Sequence, residues 1–396
     1  MIQKILKTGL LSAVAIFAIT GCGSDSTTST TTTEEATITP YQRIASIPGT
    51  NADIEKIAVT ISNYVVNTDE SVALGFPSNW VIAGANPHAN ETYEGNDDLI
   101  PIPVDTGTEV YKSRVIEFCN GAYATQATNT GQQRGSALPC EVSVHSDGKN
   151  VYIDMLDADA IFTMFFPNTP DPDGKLKEMA TAVKGEIRKM VMASLQGEAN
   201  LTELTDALGP KFTTTELSQI KDEDIYLVTQ YKSSSDQTFT TTDAKKLAQT
   251  IIEKLGTDEV NADVHVEGLS LGSAWRSARP DPIAIPGVFV TEACSPTYAK
   301  MATRLGAEYI TALPCEITAY LDRSDDTNKT ISISILSPHF MFENMFKGAV
   351  DNAVRDTNLS QEDALKYQTL ADIVLADLNK ITDEAVANSG LDLSKK

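Results

Sequence analysis

The stretch Glu117-Phe-Cys119-Asn-Gly-Ala-Tyr123-Ala-Thr-Gln-Ala-Thr128 returns as Glu292-Ala-Cys294-Ser-Pro-Thr-Tyr298-Ala-Lys-Met-Ala-Thr303. The offset is a constant 175, and it runs without a gap to Ala137-Leu-Pro-Cys140-Glu141 and Ala312-Leu-Pro-Cys315-Glu316. Of the 25 aligned positions 12 are identical, both cysteines among them, so chance repetition is untenable. Further on, Val151-Tyr-Ile-Asp-Met-Leu156 aligns with Ile331-Ser-Ile-Ser-Ile-Leu336 at offset 180. The five added residues fall between Asp322 and Thr330, a polar hairpin tip where an insertion costs least. The chain reads as an internal duplication.

Around that repeat each copy alternates strands and helices. In the second copy the strand Tyr226–Tyr231 precedes a helix Asp243–Leu255, with Leu247, Ile251 and Leu255 on one face and Gly256 as its stop. The first copy has a counterpart opening at Asn51, with Ile54, Ile57, Ala58 and Ile61 facing inward. A strand leads into the first cysteine of each copy, a short helix carries the tyrosine, and Leu-Pro-Cys opens a hairpin. A long helix closes each copy. Leu176, Met179, Val183, Ile187 and Met190 face inward in the first; Leu370, Val374 and Leu378 do so in the second, after a capping box at Ser360-x-x-Asp363. The expected architecture is α/β (α+β): two tandem sandwich domains, each a small sheet with helices packed on it. They are expected over 41–197 and 222–390, joined by a polar linker at 198–221. A length of 396 residues suits two cores better than one.

The order strand, Cys-Asn-Pro, helix, Leu-Pro-Cys, hairpin resembles the bacterial family catalogued as domain of unknown function 302, once in each copy. Both copies depart from Cys-Asn-Pro, with Cys119-Asn120-Gly121 in the first and Cys294-Ser295-Pro296 in the second. The resemblance implies a compact α/β domain and no established activity.

Residues 1–21 read as a signal peptide, with Lys4 and Lys7 ahead of an apolar run from Gly9 to Thr20. That run is too short to span a bilayer with those flanks. Ile19-Thr20-Gly21-Cys22 follows, which resembles the bacterial lipobox and implies acylation (palmitate included) at Cys22 as the mature N-terminus. The Ser/Thr-rich stretch 22–40 reads as a flexible tether. Several acyl chains anchor stably where one does not. By resemblance to Gram-negative lipoproteins, the expected location is the outer membrane, facing the periplasm. The formal net charge of −23 becomes −25 once Lys4 and Lys7 are removed. A field of that sign repels phosphate backbones, so nucleic acid is excluded as a partner. The partners expected are the membrane, through the lipid, and a small ligand or another envelope protein.

Four cysteines remain after Cys22 in a compartment that permits disulfides. Three readings stay open for Cys119/Cys140 and Cys294/Cys315. A structural disulfide within each copy would close a loop and contribute roughly 3 kcal/mol. Inert buried thiols would pack as small apolar groups. Redox-active or ligand-binding thiols are the third. Against the disulfide stands geometry: a parallel crossover between the two strands would set each pair at opposite sheet ends, perhaps ~15–20 Å apart. Glu117 and Tyr123 in the first copy, with Glu292 and Tyr298 in the second, are the candidate neighbours of the thiols. A helix N-terminus would lower a thiol pKa, and the carboxylate would oppose that.

Other signals are weaker. His88, His145, His265 and His339 have no counterparts at the repeat offsets, so they read as surface or satisfied core residues. Gly268-Leu-Ser-Leu-Gly272 matches a nucleophile elbow without the helix that the elbow requires. Asp322 to Asn328 reads as a solvated hairpin tip rather than a calcium loop. Phe162/Phe166 and Phe342/Phe346 read as core, or alternatively as a domain contact or pocket lining. No cofactor, metal or catalytic residue is expected. The function expected is a non-catalytic binding or envelope-interaction module, with a thiol-dependent redox or metal-binding protein as the alternative.

Overall fold

The computed structural model describes residues 37–66, 74, 80–86, 113–138, 140–256, 266–273, 275–277, 279–303, 305–313, 315–351 and 361–396. The signal segment, Cys22, most of the tether, His88, His265 and Ser360 lie outside the described residues.

In chain order the first half contains β1 (Thr37–Ile38), β2 (Tyr41–Pro48), α1 (Ile54–Val66), β3 (Trp80–Asn86), β4 (Ser113–Asn120), α2 (Gly121–Asn129), β5 (Cys140–Ser146), β6 (Asn150–Leu156), α3 (Ala158–Phe165), α4 (Lys175–Ser194), β7 (Thr202–Leu208) and β8 (Phe212–Thr213). The second half contains β9 (Tyr226–Ser233), α5 (Thr241–Leu255), β10 (Ile283–Ile285), β11 (Val288–Ala293), α6 (Pro296–Thr303), β12 (Cys315–Leu321), β13 (Thr330–Leu336), α7 (Leu370–Asn388) and β14 (Leu393–Lys395). Two six-stranded sheets result, ordered β3-β4-β5-β6-β2-β7 and β10-β11-β12-β13-β9-β14. The order is the same in both, and every pairing is antiparallel.

The helices form where the periodicity places them. A reciprocal Thr50–Asp53 box starts the turn into α1, with the Thr50 N–H donating to Asp53 at 2.8 Å, and Ile54, Ile57, Ala58 and Ile61 are buried. α5 opens on the matching Thr240–Asp243 box and stops at Gly256, whose φ of 80° suits a residue without Cβ. α4 and α7 bury Met179, Val183, Ile187 and Met190, and Leu370, Val374, Leu378 and Ile381.

Strand alternation then sorts the two faces of each sheet. On β4 and β5, Ile116, Phe118, Val142 and Val144 join the apolar core beside α1. Glu117 and Glu141, paired directly in register, share the opposite face. That face receives the 3-10 turn Ala307–Ala312 of the second half, where Thr311 and Ser143 hydroxyls meet at 2.9 Å. Reciprocally, the 3-10 turn Gln132–Ala137 of the first half lies on β11, β12 and β13. The buried apolar cluster of the first half continues into Val288, Tyr320 and Phe346 of the second.

Three sequence expectations change here. The strands carrying each cysteine pair are antiparallel neighbours (β4 with β5, β11 with β12), so no parallel crossover separates the thiols. Residues 132–137 turn the chain back after α2 and make that possible. The stretch 198–221 is structured: β7 completes the first sheet against β2, and Phe212 and Leu217 are buried. Its mostly polar sequence hid the strand because an edge position leaves most of it exposed. The tether ends in structure too, as Thr37 and Ile38 pair with Thr213 and Phe212.

Candidate functional site

The same frame is built twice, once per half. β3 pairs with β4 so that Trp80 lies opposite Asn120. In the second half a single bridge between Arg276 and Cys294 sets Trp275 at the matching place, opposite Ser295. Each indole meets the repeated tyrosine on the short helix. Trp80 and Tyr123 have ring centroids 5.9 Å apart, Trp275 and Tyr298 5.6 Å apart. An acid from the long helix holds each pair. Glu186 accepts from Trp80 Nε1 and from the Tyr123 hydroxyl, both at 2.7 Å. Asp377 accepts from Trp275 Nε1 at 3.2 Å and the Tyr298 hydroxyl at 2.6 Å.

Sequence reading placed Tyr123 and Tyr298 but missed both tryptophans and both acids. Trp80 and Trp275 are 195 residues apart, and Glu186 and Asp377 are 191 apart, so neither keeps the repeat offset. A usable signal existed on the helices. Val183-x-x-Glu186-Ile187-x-x-Met190 and Val374-x-x-Asp377-Leu378-x-x-Ile381 each set one acid on an otherwise apolar stripe. The chain has two tryptophans, and each half uses one at this position.

Asp377 is fully enclosed and carries two further donors, the Ser270 N–H at 2.8 Å and the Ser273 hydroxyl at 2.7 Å. The Gly-x-Ser-x-Gly segment forms a 3-10 turn at Ser270–Gly272 with no α-helix behind it among the described residues. Ser270 serves through its backbone, donating to Asp377 and accepting from Tyr298 at 2.8 Å. Both phenols are held protonated. Burial, with the Glu186 hydrogen bond, pushes Tyr123 up to about 12, and burial followed by Asp377 pushes Tyr298 higher. The frame therefore positions aromatic surface, with both phenols held as hydrogen-bond donors.

That surface lines a cleft beside the cysteines. In the second half the cleft encloses about 580 Å³, counting its open mouth, between Trp275, Cys294, Ser295, Tyr298, Met341 and Phe342. In the first half the equivalent space is about 300 Å³, between Trp80, Cys119, Asn120, Tyr123, Cys140 and Phe162. The phenylalanine pairs stack, Phe162 on Phe166 at 4.6 Å and Phe342 on Phe346 at 5.1 Å. Phe162, Phe342 and Phe346 line the clefts. The hydroxyl of Ser295 is buried in the wall of the larger cleft, with no hydrogen-bond partner among the described residues. Its counterpart Asn120 instead caps α2, accepting from Ala122 N at 3.1 Å.

Among the described residues no cysteine is in a disulfide. The register pairs Phe118 with Cys140 and Ala293 with Cys315, so each cysteine pair is one step out of register. Both thiols of each pair nevertheless line the same cleft, Cys119 with Cys140 and Cys294 with Cys315, and no disulfide joins them. Burial raises Cys119 to about 11, with the Glu292 charge adding to it, and burial raises Cys140 and Cys315 further. The thiolate character expected from a helix N-terminus is outweighed. The carboxyl bearing on Cys119 comes from the other half, Glu292 rather than Glu117.

Glu117 and Glu292 belong instead to the seam between the halves. Tyr41 donates to the Met345 carbonyl at 3.0 Å, and its counterpart Tyr226 donates to the Phe165 carbonyl at 2.6 Å. Phe165 and Phe340 meet edge-on at 5.3 Å. Arg134, buried in the first turn, grips Asp222 with two bonds of 2.9 and 3.1 Å. The two described histidines take no part: His145 is buried on Asp154 at 2.8 Å, and His339 is half exposed beside Asp372. At the hairpin tip, Asp322 and Asp325 accept from their own turn, Ser324 N at 2.8 Å and Thr327 N at 3.0 Å. Among the described residues no three His, Cys, Asp or Glu side chains converge in metal-binding geometry, and no helix is long and apolar enough to cross a membrane.

Comparison with known proteins attaches a family to part of this frame. Residues 105–194 carry a DUF302 domain, "Domain of unknown function DUF302". The matched span holds Cys119, Tyr123, Cys140 and Glu186. A crystal structure of an uncharacterized conserved DUF302 protein from Bacillus stearothermophilus is 16% identical, covering 38% of this chain and 94% of that one, with a TM-score of 0.27. No curated protein matches.

Proposed function

We propose that this protein is a non-catalytic binding module of the cell envelope, a tandem of DUF302 domains tethered by lipid at Cys22, that takes a small apolar ligand in the cleft of the second half. The Trp–Tyr–acid frame carries the reading. It recurs in both halves although sequence offsets around it have drifted, and in the second half it walls an apolar cleft that opens outward. The raised thiols and protonated phenols supply no nucleophile or base, which favours binding over the thiol-dependent alternative. A ligand for this space has an aromatic or aliphatic body and one polar group for the Ser295 hydroxyl.

Trp80→Phe leaves Trp275 as the sole indole and turns it into a reporter. Nile red is expected to quench its emission saturably. Ala299→Leu, which fills the cleft wall, is expected to weaken that binding by about tenfold or more. Quenching untouched by Ala299→Leu would place the dye elsewhere and remove the cleft from consideration.

The anchor is tested separately. Wild-type protein is expected to take up labelled palmitate and partition with membranes, whereas Cys22→Ser yields unprocessed or soluble chain. Retention of label at the mature N-terminus of Cys22→Ser would sink the lipoprotein reading.

A further inference from the structure

Four glutamates lie along the seam: Glu117 and Glu141, paired across β4 and β5, and Glu292 and Glu316, paired across β11 and β12. Their exposures are 0%, 5%, 3% and 3%. Glu117 and Glu292 face one another across the two halves. Among the described residues no N–H or hydroxyl reaches either of those two carboxyls, nor one oxygen of Glu316. Two carboxyls without other donors can bond only by sharing a proton, since two carboxylates offer acceptors alone.

We propose that the two halves are joined by a proton-dependent seam, in which Glu117, Glu141, Glu292 and Glu316 keep the sheets together while most of them are protonated and loosen the joint once they ionise.

The charges facing the quartet do not neutralise it. Arg279 bears on Glu292 and Cys119, and its guanidinium is also bound to the Ala83 carbonyl at 2.7 Å. Cys140 lies beside Glu141, Cys315 beside Glu316, and Tyr41 near Glu141. Each of these three is neutral near pH 7, so among these described residues Arg279 is the one cation, and it bears on Glu292. All four are buried, and ionisation in such surroundings is strongly opposed. Burial is accordingly the largest cause holding all four carboxyls above the usual carboxylate range, with mutual repulsion next for Glu117, Glu141 and Glu316.

The sign follows from linkage. A carboxyl whose folded-state pKa exceeds its unfolded value of 4.5 stabilises fully below that pH, and the contribution is lost as pH rises. The buried Asp154 runs the other way, its pKa lowered by His145 and Arg43 against the cost of burial, and its window lies below pH 3.8. The raised tyrosines act above pH 10. Between those limits the quartet acts together with Glu308, on the turn packed against the first sheet, whose carboxyl burial raises as well.

The test is thermal unfolding of the full chain between about pH 5 and pH 8.5. Wild-type Tm is expected to fall by about 4 °C or more across that range. Glu117→Gln with Glu292→Gln keeps a proton-like donor on each side, so it is expected to flatten the slope and to raise Tm at the alkaline end. Equal slopes in both proteins would overturn the proposal, as would a calcium-induced rise at pH 8.5 that matched the acid gain. Should the double variant not fold, infrared spectroscopy of the wild type decides. A carboxylic-acid C=O stretch persisting at pH 7 and disappearing above it supports the seam, and no such band at pH 7 refutes it.

Discussion

Asp377→Ala is expected to destabilise the protein by about 4 kcal/mol, the largest effect of any single polar substitution in the frame. The carboxylate is buried at 1% exposure and accepts from Ser270 N, Ser273 Oγ, Trp275 Nε1 and the Tyr298 hydroxyl. Removing it strands four donors, and leaving buried donors unpaired costs more than the bonds contribute. Glu186→Ala in the first half supplies the comparison. Glu186 accepts from two donors and is only partly buried, so water can replace it and about 1–2 kcal/mol is expected. Asp377→Asn should fall between, because its amide keeps an acceptor oxygen and adds hydrogens where acceptors are needed. Denaturant titration of the three variants ranks them. Equal losses for Asp377→Ala and Glu186→Ala would show that donor burial is not what distinguishes the halves.

Gly135→Val is expected to cost about 3 kcal/mol by wedging the seam apart. Gly135 sits in the 3-10 turn that the first half lays on the second sheet. A Cβ there would stand 2.8 Å from Val288 Cγ1 and 2.9 Å from Thr318 Cγ2, distances that packed side chains do not tolerate. Both neighbours belong to the rigid strands β11 and β12, so the turn must lift and carry its contacts with it. Val288→Ala in the same chain removes one obstacle and should return part of the loss, giving a coupling energy that distant sites would not show. Strict additivity of the two substitutions would mean the turn does not rest on that strand.

The sequence by itself determined the duplication, the helix positions and the fold class, because each rests on local physics. Ile54, Ile57 and Ile61, or Val374 and Leu378, mark an inward face by spacing alone, and the repeated Cys-x-x-x-Tyr unit marks a strand passing into a short helix. Tertiary structure decided what those units do. Whether Cys119 meets Cys140 depends on strand direction and register, and the turn at 132–137 makes the strands antiparallel yet one step out of register. Glu117 reads as a neighbour of Cys119 from its position two residues away, but its partner is Glu292, 175 residues on, met only when the two sheets close on each other. Trp275 and Asp377 join Tyr298 from separate segments whose loop lengths drifted, so no fixed offset could reveal them. Spacing reports what a residue can reach along its own element. Which carboxyls become buried together, and which indole a helix acid holds, is set by how the elements pack, because desolvation depends on every surface that covers a group.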